Sequence, residues 1–345
     1  MRKPDSLEKG QNIGLCATSF GCTIEPYKTC LKETIKKFED FGYKVTVGDN
    51  VYKEDGVGIA TNPKDMASEF EKMLLDDSID ALISTGGGEL MCEILPYMDW
   101  EKVKEAKPKW FLGYSDNTNA ILPLVTICDT MAIYGSCAPS FGTPWSDSQQ
   151  DIFDILTGSK KTVENYEKWE IESLKSEENP LAPYNMTEAN STKAFFENKE
   201  IENAAFDGRL IGGCLDCLQG LCGTSFDKVK EYSEKYKEDG IIWFIESCDL
   251  NVMGVRRALF QLKNAGWFEN VKGFIIGRPM LYDNEGFGIT MKEAFLEPLS
   301  ELNVPIILDA DLGHLPPAMP MVAGAKASVS FNKSTDKKFS ITYDI

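Results

Sequence analysis

One histidine, His314, is all the imidazole that 345 residues contain. Histidine is the only side chain whose unperturbed pKa puts its charge change near neutral pH, so any imidazole chemistry here falls to a single residue. Long apolar runs are missing too. No stretch approaches the roughly 18 uninterrupted apolar residues of a membrane span, and the charged, polar Met1–Gln11 is followed by no apolar signal region. Basic residues are in deficit, 36 Lys+Arg against 54 Asp+Glu for a net charge of −18. That balance argues against nucleic acid as a partner, because such binding draws its affinity from basic patches. The ten cysteines, without a secretion signal, read as reduced thiols rather than a disulfide framework. The expectation is a cytoplasmic protein with neither a nucleic-acid nor a membrane partner.

What is present has the pattern of an α/β protein in two domains, which is also what the length suggests. Apolar runs at Asn12–Ala17, Tyr43–Val47, Ile79–Ser84 and Trp110–Tyr114 read as strands. Between and after them, Lys28–Phe41, Pro63–Asp76 and Asn117–Ile127 have helical spacing. Strands alternating with helices of this length indicate a doubly wound parallel sheet covered on both faces. This N-terminal α/β domain is expected over 1–146. From 147 to 207 the chain turns rich in Glu, Lys, Asn and Ser and reads as a linker or excursion. A C-terminal domain is expected over 208–345, with strands at Gly240–Ile245, Val271–Ile276 and Val304–Leu308, a helix at Gly254–Ala265 and antiparallel β in the tail.

Three elements can carry chemistry. Phe111-Leu112-Gly113-Tyr114-Ser115-Asp116-Asn117 runs from a strand into a tight turn and then a helix. Ser115 there sits where hydrolases expose a nucleophilic serine, although the trailing glycine of G-x-S-x-G is absent. It would equally serve as a helix N-cap. Ile83-Ser84-Thr85-Gly86-Gly87-Gly88-Glu89 places glycines directly after a buried strand. Such a turn can aim backbone N–H groups at a developing oxyanion. It has neither the Lys-Ser/Thr of a phosphate loop nor the spacing of a dinucleotide site. In Ile241-Ile242-Trp243-Phe244-Ile245-Glu246 a carboxylate ends an apolar run, where it can hold an imidazole in one tautomer. Ser115, Glu246 and His314 then follow the nucleophile, acid, base order of α/β hydrolases. The amides near Gly87 and Asp116 complete the expected set, in a cleft between domains.

The motifs S-T-G-G-G-E, F-L-G-Y-S-D-N-T, Y-G-S-C-A-P-S-F-G, G-R-L-I-G-G-C-L, F-I-E, G-F-I-I-G-R-P and D-A-D-L-G-H occur in this order between Asn12 and Ala327. In them the chain resembles the LD-carboxypeptidase family of serine peptidases, peptidase family S66. The resemblance implies a Ser-Glu-His triad carried by Ser115, Glu246 and His314. It also implies a glutamine-amidotransferase-like N-terminal domain, a β-rich C-terminal domain, a homodimer and no cofactor. One branch trims terminal D-alanine from murein tetrapeptides. The microcin C immunity branch cleaves the bond between an aspartyl residue and a nucleotide-like group. The length, the long middle segment and Asn251–Arg257 with Gln261-Leu262 look more like the second. The expected substrates are therefore a peptidyl- or aminoacyl-nucleotide, with a murein peptide as the alternative. Two departures stand out. The usual G-G-N-L reads Gly212-Gly213-Cys214-Leu215, and no aromatic residue aligns securely with the adenine-stacking position. Trp169, Phe195 and Phe196 are candidates for it, with Gly86 and Gly88 lining the substrate, and Arg209, Arg256 or Arg257 could grip a carboxylate.

Two other readings compete. Cys214-Leu215-Asp216-Cys217, with Cys222 five residues on, is a C-x-x-C. Zinc would need a second pair or histidines, and neither is present nearby, so these read as small side chains packed on a helix. A member of another class, a protein that binds peptides or muropeptides without cleaving them, would have no need of a lone imidazole at position 314.

Overall fold

Asn62 shows why the helices begin where the sequence suggests. Its side chain accepts the Asp65 N–H at 3.0 Å, and Pro63 occupies the first helical position, where its missing N–H costs nothing. The resulting helix, Pro63–Leu75, buries Met66, Ala67, Phe70, Met73 and Leu74. The computed structural model describes residues 1–345 and divides into two units, 1–160 with 172–185 and 161–171 with 186–345.

In the first unit, β1 (Asn12–Cys16), β2 (Lys44–Val47), β3 (Ala81–Ser84), β4 (Trp110–Gly113) and β5 (Ala132–Tyr134) lie in the order β5-β4-β3-β1-β2. Every neighbouring pair among these five is parallel. β3 and β4 are buried at each residue, as parallel strands covered on both faces should be. Helices Tyr27–Asp40 and Thr118–Thr126 fall where the spacing placed them, within a residue or two. The carboxyl ends of β3 and β4 carry the glycine turn and Ser115, at the edge where α/β sheets present ligand-binding loops.

The second unit is built on nine strands. They are β6 (Thr162–Glu164), β9 (Lys193–Phe196), β10 (Lys199–Ile201), β11 (Asn203–Cys214), β12 (Ile241–Glu246), β13 (Val271–Gly277), β16 (Ile306–Ala310), β18 (Lys326–Asn332) and β19 (Phe339–Asp344). Their order is β10-β9-β16-β13-β12-β11-β18-β19-β6. β16, β13, β12 and β11 pair in parallel, and the flanking pairs are antiparallel. Short strands β7 (Lys168–Trp169), β8 (Glu188–Ala189), β14 (Glu285–Gly286), β15 (Ile289–Thr290) and β17 (Met321–Ala323) complete the set. Trp243 stacks on Trp267 with ring centroids 5.6 Å apart in the core.

The stretch 147–207 is divided between the two units and is more structured than its composition suggests. It holds helix Asp147–Thr157, opened by a capping box from Ser146 and Gln149, and strands β6 to β10. Those strands are two to four residues long, too short to leave a periodic signal. No helix in the chain is long and apolar enough to cross a membrane.

Candidate active site

Ser115 follows β4 after one residue, Tyr114, and adopts φ = 61°, a left-handed conformation that costs a non-glycine residue roughly 1–3 kcal/mol. Its surroundings hold it there. The Ser115 N–H donates to the buried Tyr134 Oη at 2.9 Å. Asn117 Nδ2 donates to the Tyr114 and Gly86 carbonyls, both at 2.9 Å, tying the serine turn to the glycine turn. Thr18 donates to Asn117 Oδ1 at 2.5 Å. Asp116 is not free to act on solvent. Its Oδ2 accepts the Ser19 hydroxyl and, at 2.9 Å, the Met91 N–H, and its Oδ1 accepts Asn119 Nδ2 at 2.8 Å.

Gly87 explains why the turn after β3 is built of glycine. A methyl on its Cα would stand 3.2 Å from Ser115 Oγ and 3.1 Å from Ser115 Cβ. The Gly87 carbonyl accepts the Phe20 N–H at 3.0 Å, which fixes the peptide at this approach. Gly86 and Gly88 flank it, both half-buried. The first unit thus sets the serine hydroxyl so close to the glycine turn that any side chain at position 87 would press on it.

In the second unit, β12 ends at Glu246, which is fully buried. Glu246 Oε2 lies 2.7 Å from Nδ1 of His314, the ring N–H donating to the carboxylate. The loop after β16 closes onto this carboxylate because residue 313 is glycine. Gly313 has φ = 104°, and a Cβ there would lie 2.6 Å from Glu246 Oε2. Three residues before the histidine, Asp311 anchors the same loop. It is fully buried and receives Arg278 Nη2 at 2.6 Å on one oxygen. Its other oxygen accepts the Tyr166 N–H at 2.7 Å and Asn190 Nδ2 at 3.1 Å. Burial alone disfavours the charged form of His314, but the Glu246 carboxylate and a hydrogen bond to the Cys248 sulfur outweigh it. The imidazole pKa is therefore raised above its ordinary value. Burial pushes the Asp311 carboxyl up, against the opposing pull of Arg278.

The remaining sequence candidates are placed less suggestively. Trp169 is buried, its ring covered by the Arg278 guanidinium at 5.0 Å and its N–H donated to the Ala189 carbonyl. That is the setting of a packed aromatic. Phe195 is buried in β9, whereas Phe196 beside it is exposed. Arg209 is held by Asp239 at 2.7 Å and Arg256 by Glu297, while Arg257 is exposed. No cluster of His, Cys, Asp or Glu is placed to hold a metal ion. Tyr134, Asn117, Asp311 and Arg278 were missed as site residues. Each lies inside a motif already quoted (Y-G-S-C, Y-S-D-N, D-A-D-L-G-H and G-R-P), but only a three-dimensional contact reveals its task.

Residues 13–135 match the LD-carboxypeptidase N-terminal domain of peptidase S66, and residues 207–329 match the LD-carboxypeptidase C-terminal domain. The chain belongs to the LD-carboxypeptidase family. Among individual relatives, it is 29% identical over 344 residues to the microcin C7 self-immunity protein MccF of Escherichia coli, covering 97% of this chain and 94% of that one. Its fold is similar to that of the MccF-like protein of Bacillus anthracis str. Ames, with TM-score 0.80 at 23% identity over 99% of each chain. It is equally similar to MccF in complex with aspartyl sulfamoyl adenosine, with TM-score 0.81 at 24% identity over 99% and 98% of the two chains.

Proposed function

We propose that the protein is a serine hydrolase that cleaves an amide bond at the carboxyl side of an acidic aminoacyl group, through an acyl-enzyme on Ser115. The observation that carries this reading is the 2.7 Å bond between the buried Glu246 carboxylate and Nδ1 of the only histidine. With Nδ1 committed as a donor, Nε2 is left as the basic nitrogen, the tautomer a general base requires. His314 takes the Ser115 proton as the hydroxyl attacks, and returns it to the leaving nitrogen. Glu246 stabilises the imidazolium that forms between these steps. The Gly87 and Asp116 amides hold the oxyanion, where one donor is worth roughly 3 kcal/mol of transition-state stabilisation. Water then releases the acyl group by the same route in reverse.

The substrate follows the relative to which the chain is similar along nearly its whole length. MccF has been seen with aspartyl sulfamoyl adenosine, an aminoacyl-nucleotide analogue, and we carry that substrate class to this protein. Purified protein is offered an aspartyl-adenylate mimic and a murein tetrapeptide side by side, and labelled with a serine-reactive fluorophosphonate. Turnover of the nucleotide mimic, with labelling that vanishes in Ser115→Ala, supports the proposal. Turnover of the tetrapeptide alone would assign the murein carboxypeptidase activity instead. Absence of both labelling and turnover would leave a binding protein.

A further inference from the structure

The C-x-x-C has no part in the reaction just proposed, yet it adjoins the Glu246–His314 pair. Cys214 is the last residue of β11 and the direct cross-strand partner of Glu246 on β12. It caps the short helix Leu215–Leu221, on which Cys217 lies three residues on. Residues three apart at the start of a helix lie on one face, the arrangement in which C-x-x-C pairs open and close as disulfides. The Cys214 and Cys217 side chains are in hydrogen-bond contact. Cys214 is fully buried and Cys217 half-exposed, so one thiol meets solvent and the other waits behind it.

Asp216 connects this pair to the site. Its Oδ2 accepts the Cys214 S–H at 3.4 Å and the Cys248 N–H at 3.1 Å, and its Oδ1 accepts the Asp249 N–H at 2.9 Å. The Cys248 side chain in turn hydrogen-bonds His314. A single carboxylate thus joins the buried thiol to the loop that contacts the imidazole.

We propose that Cys214 and Cys217 are a redox modification site, closed to a disulfide by a small-molecule disulfide such as oxidised glutathione, and that closure loosens the loop holding His314. The Cys217 thiolate attacks one glutathione sulfur, the S–S bond breaks and a glutathione thiolate leaves. The Cys214 thiol passes its proton to Asp216, and its sulfur displaces the second glutathione thiolate from Cys217. Asp216 hands the proton on to that thiolate, while the first glutathione thiolate takes up the proton that Cys217 had released. The protein loses two hydrogens and two glutathione thiols are formed. Asp216 then lacks the Cys214 donor, and one support of the Cys248–Asp249 turn is gone. Regulation in this sense rests on the proposed hydrolase reading, but bond formation does not.

The test uses the full chain equilibrated with mixtures of reduced and oxidised glutathione, quenched by alkylation and mapped by mass spectrometry. The imidazole NMR signal, which His314 alone produces, is followed in parallel. The expected result is a Cys214–Cys217 link, reversed by dithiothreitol, with a displaced imidazole signal and hydrolysis slowed on the order of two- to tenfold, the size of one lost hydrogen bond. Cys217→Ser should fold, since that side chain is half-exposed, and both its signal and its rate should ignore oxidised glutathione. Separate alkylation of Cys214 and Cys217 under every mixture, or a link through Cys222 or Cys248 instead, would overturn the site. A link that leaves the imidazole signal unmoved would overturn the coupling. Neither readout needs a substrate, so failure of the hydrolase reading, seen as absent fluorophosphonate labelling of reduced protein, stays distinguishable.

Discussion

The turn that presents Ser115 and the loop that presents His314 are stabilised in opposite ways. Ser115 stands on a strained backbone, φ = 61°, held by uncharged donors and acceptors from Tyr134, Asn117 and Thr18. His314 is held by charge, the buried Glu246 on its ring and the buried Asp311–Arg278 pair beneath its loop. Strain with neutral hydrogen bonds positions a hydroxyl without changing its ionisation. Buried charge does both, positioning the ring and raising its proton affinity. In the proposed mechanism, a nucleophile that must be exposed and a base that must hold a proton for an instant call for these different supports.

The sharpest way to break the comparison is to remove each reacting group. Ser115→Ala and His314→Ala should each lower kcat by roughly ten-thousandfold or more, with unchanged circular dichroism, because members of such a set fail as a unit. Near-normal turnover in either variant would refute the mechanism. Glu246→Gln comes next. It keeps the shape but withdraws the charge and allows the wrong tautomer, a change that costs on the order of ten-thousandfold in a comparable triad. It should also lower the His314 pKa measured by NMR. An unmoved pKa would show that Glu246 is not what raises it.

The same contrast explains what could be read in advance. The elbow was legible because its parts are contiguous, Gly113 to Asn117 on one strand-turn-helix and Gly86 to Gly88 on the next strand's turn. The strands around it were legible as well, since buried parallel strands are continuous apolar runs. The support of His314 was not. Asp311, Arg278 and Tyr166 are separated by up to 145 residues and meet only through folding. Trp169 drew notice as a possible stacking platform, and its guanidinium neighbour lies more than a hundred residues away. The division of 147–207 between two units was equally hidden, because strands of two to four residues are too short to show a period.

Arg278 offers the next effect in size. Arg278→Met leaves Asp311 buried and unpaired beneath the histidine loop, and breaking a buried ion pair from one side costs about 3–5 kcal/mol. Denaturant unfolding should show that loss, and the double variant Arg278→Met/Asp311→Leu should recover much of it. A single variant as stable as wild type would remove the buried pair from the account. On the serine side, Gly87→Ala places a methyl 3.2 Å from Ser115 Oγ. Crowding of this kind costs typically 1–3 kcal/mol, so the melting temperature should fall by a few degrees, and fluorophosphonate labelling of the folded protein should slow by roughly tenfold or more. Equal labelling rates would mean that the glycine turn does not constrain the nucleophile.

The smallest effect separates positioning from protonation. Because the folded pKa of His314 is raised, the charged imidazole stabilises the folded chain fully below the unfolded value of about 6.5. That contribution is lost as pH rises from about 6.5 through the folded value, at up to roughly 1.4 kcal/mol per pH unit for one proton. Activity runs the other way, since the base must be neutral, and its acid limb should lie above 6.5. With the single imidazole replaced in His314→Gln, the difference in stability between wild type and variant should shrink steadily across this alkaline window. Ser115→Ala, which leaves the Glu246–His314 bond in place, should keep the wild-type slope. If both variants kept the slope, the proton uptake would belong to some other group, and the charge-supported half of the comparison would fall.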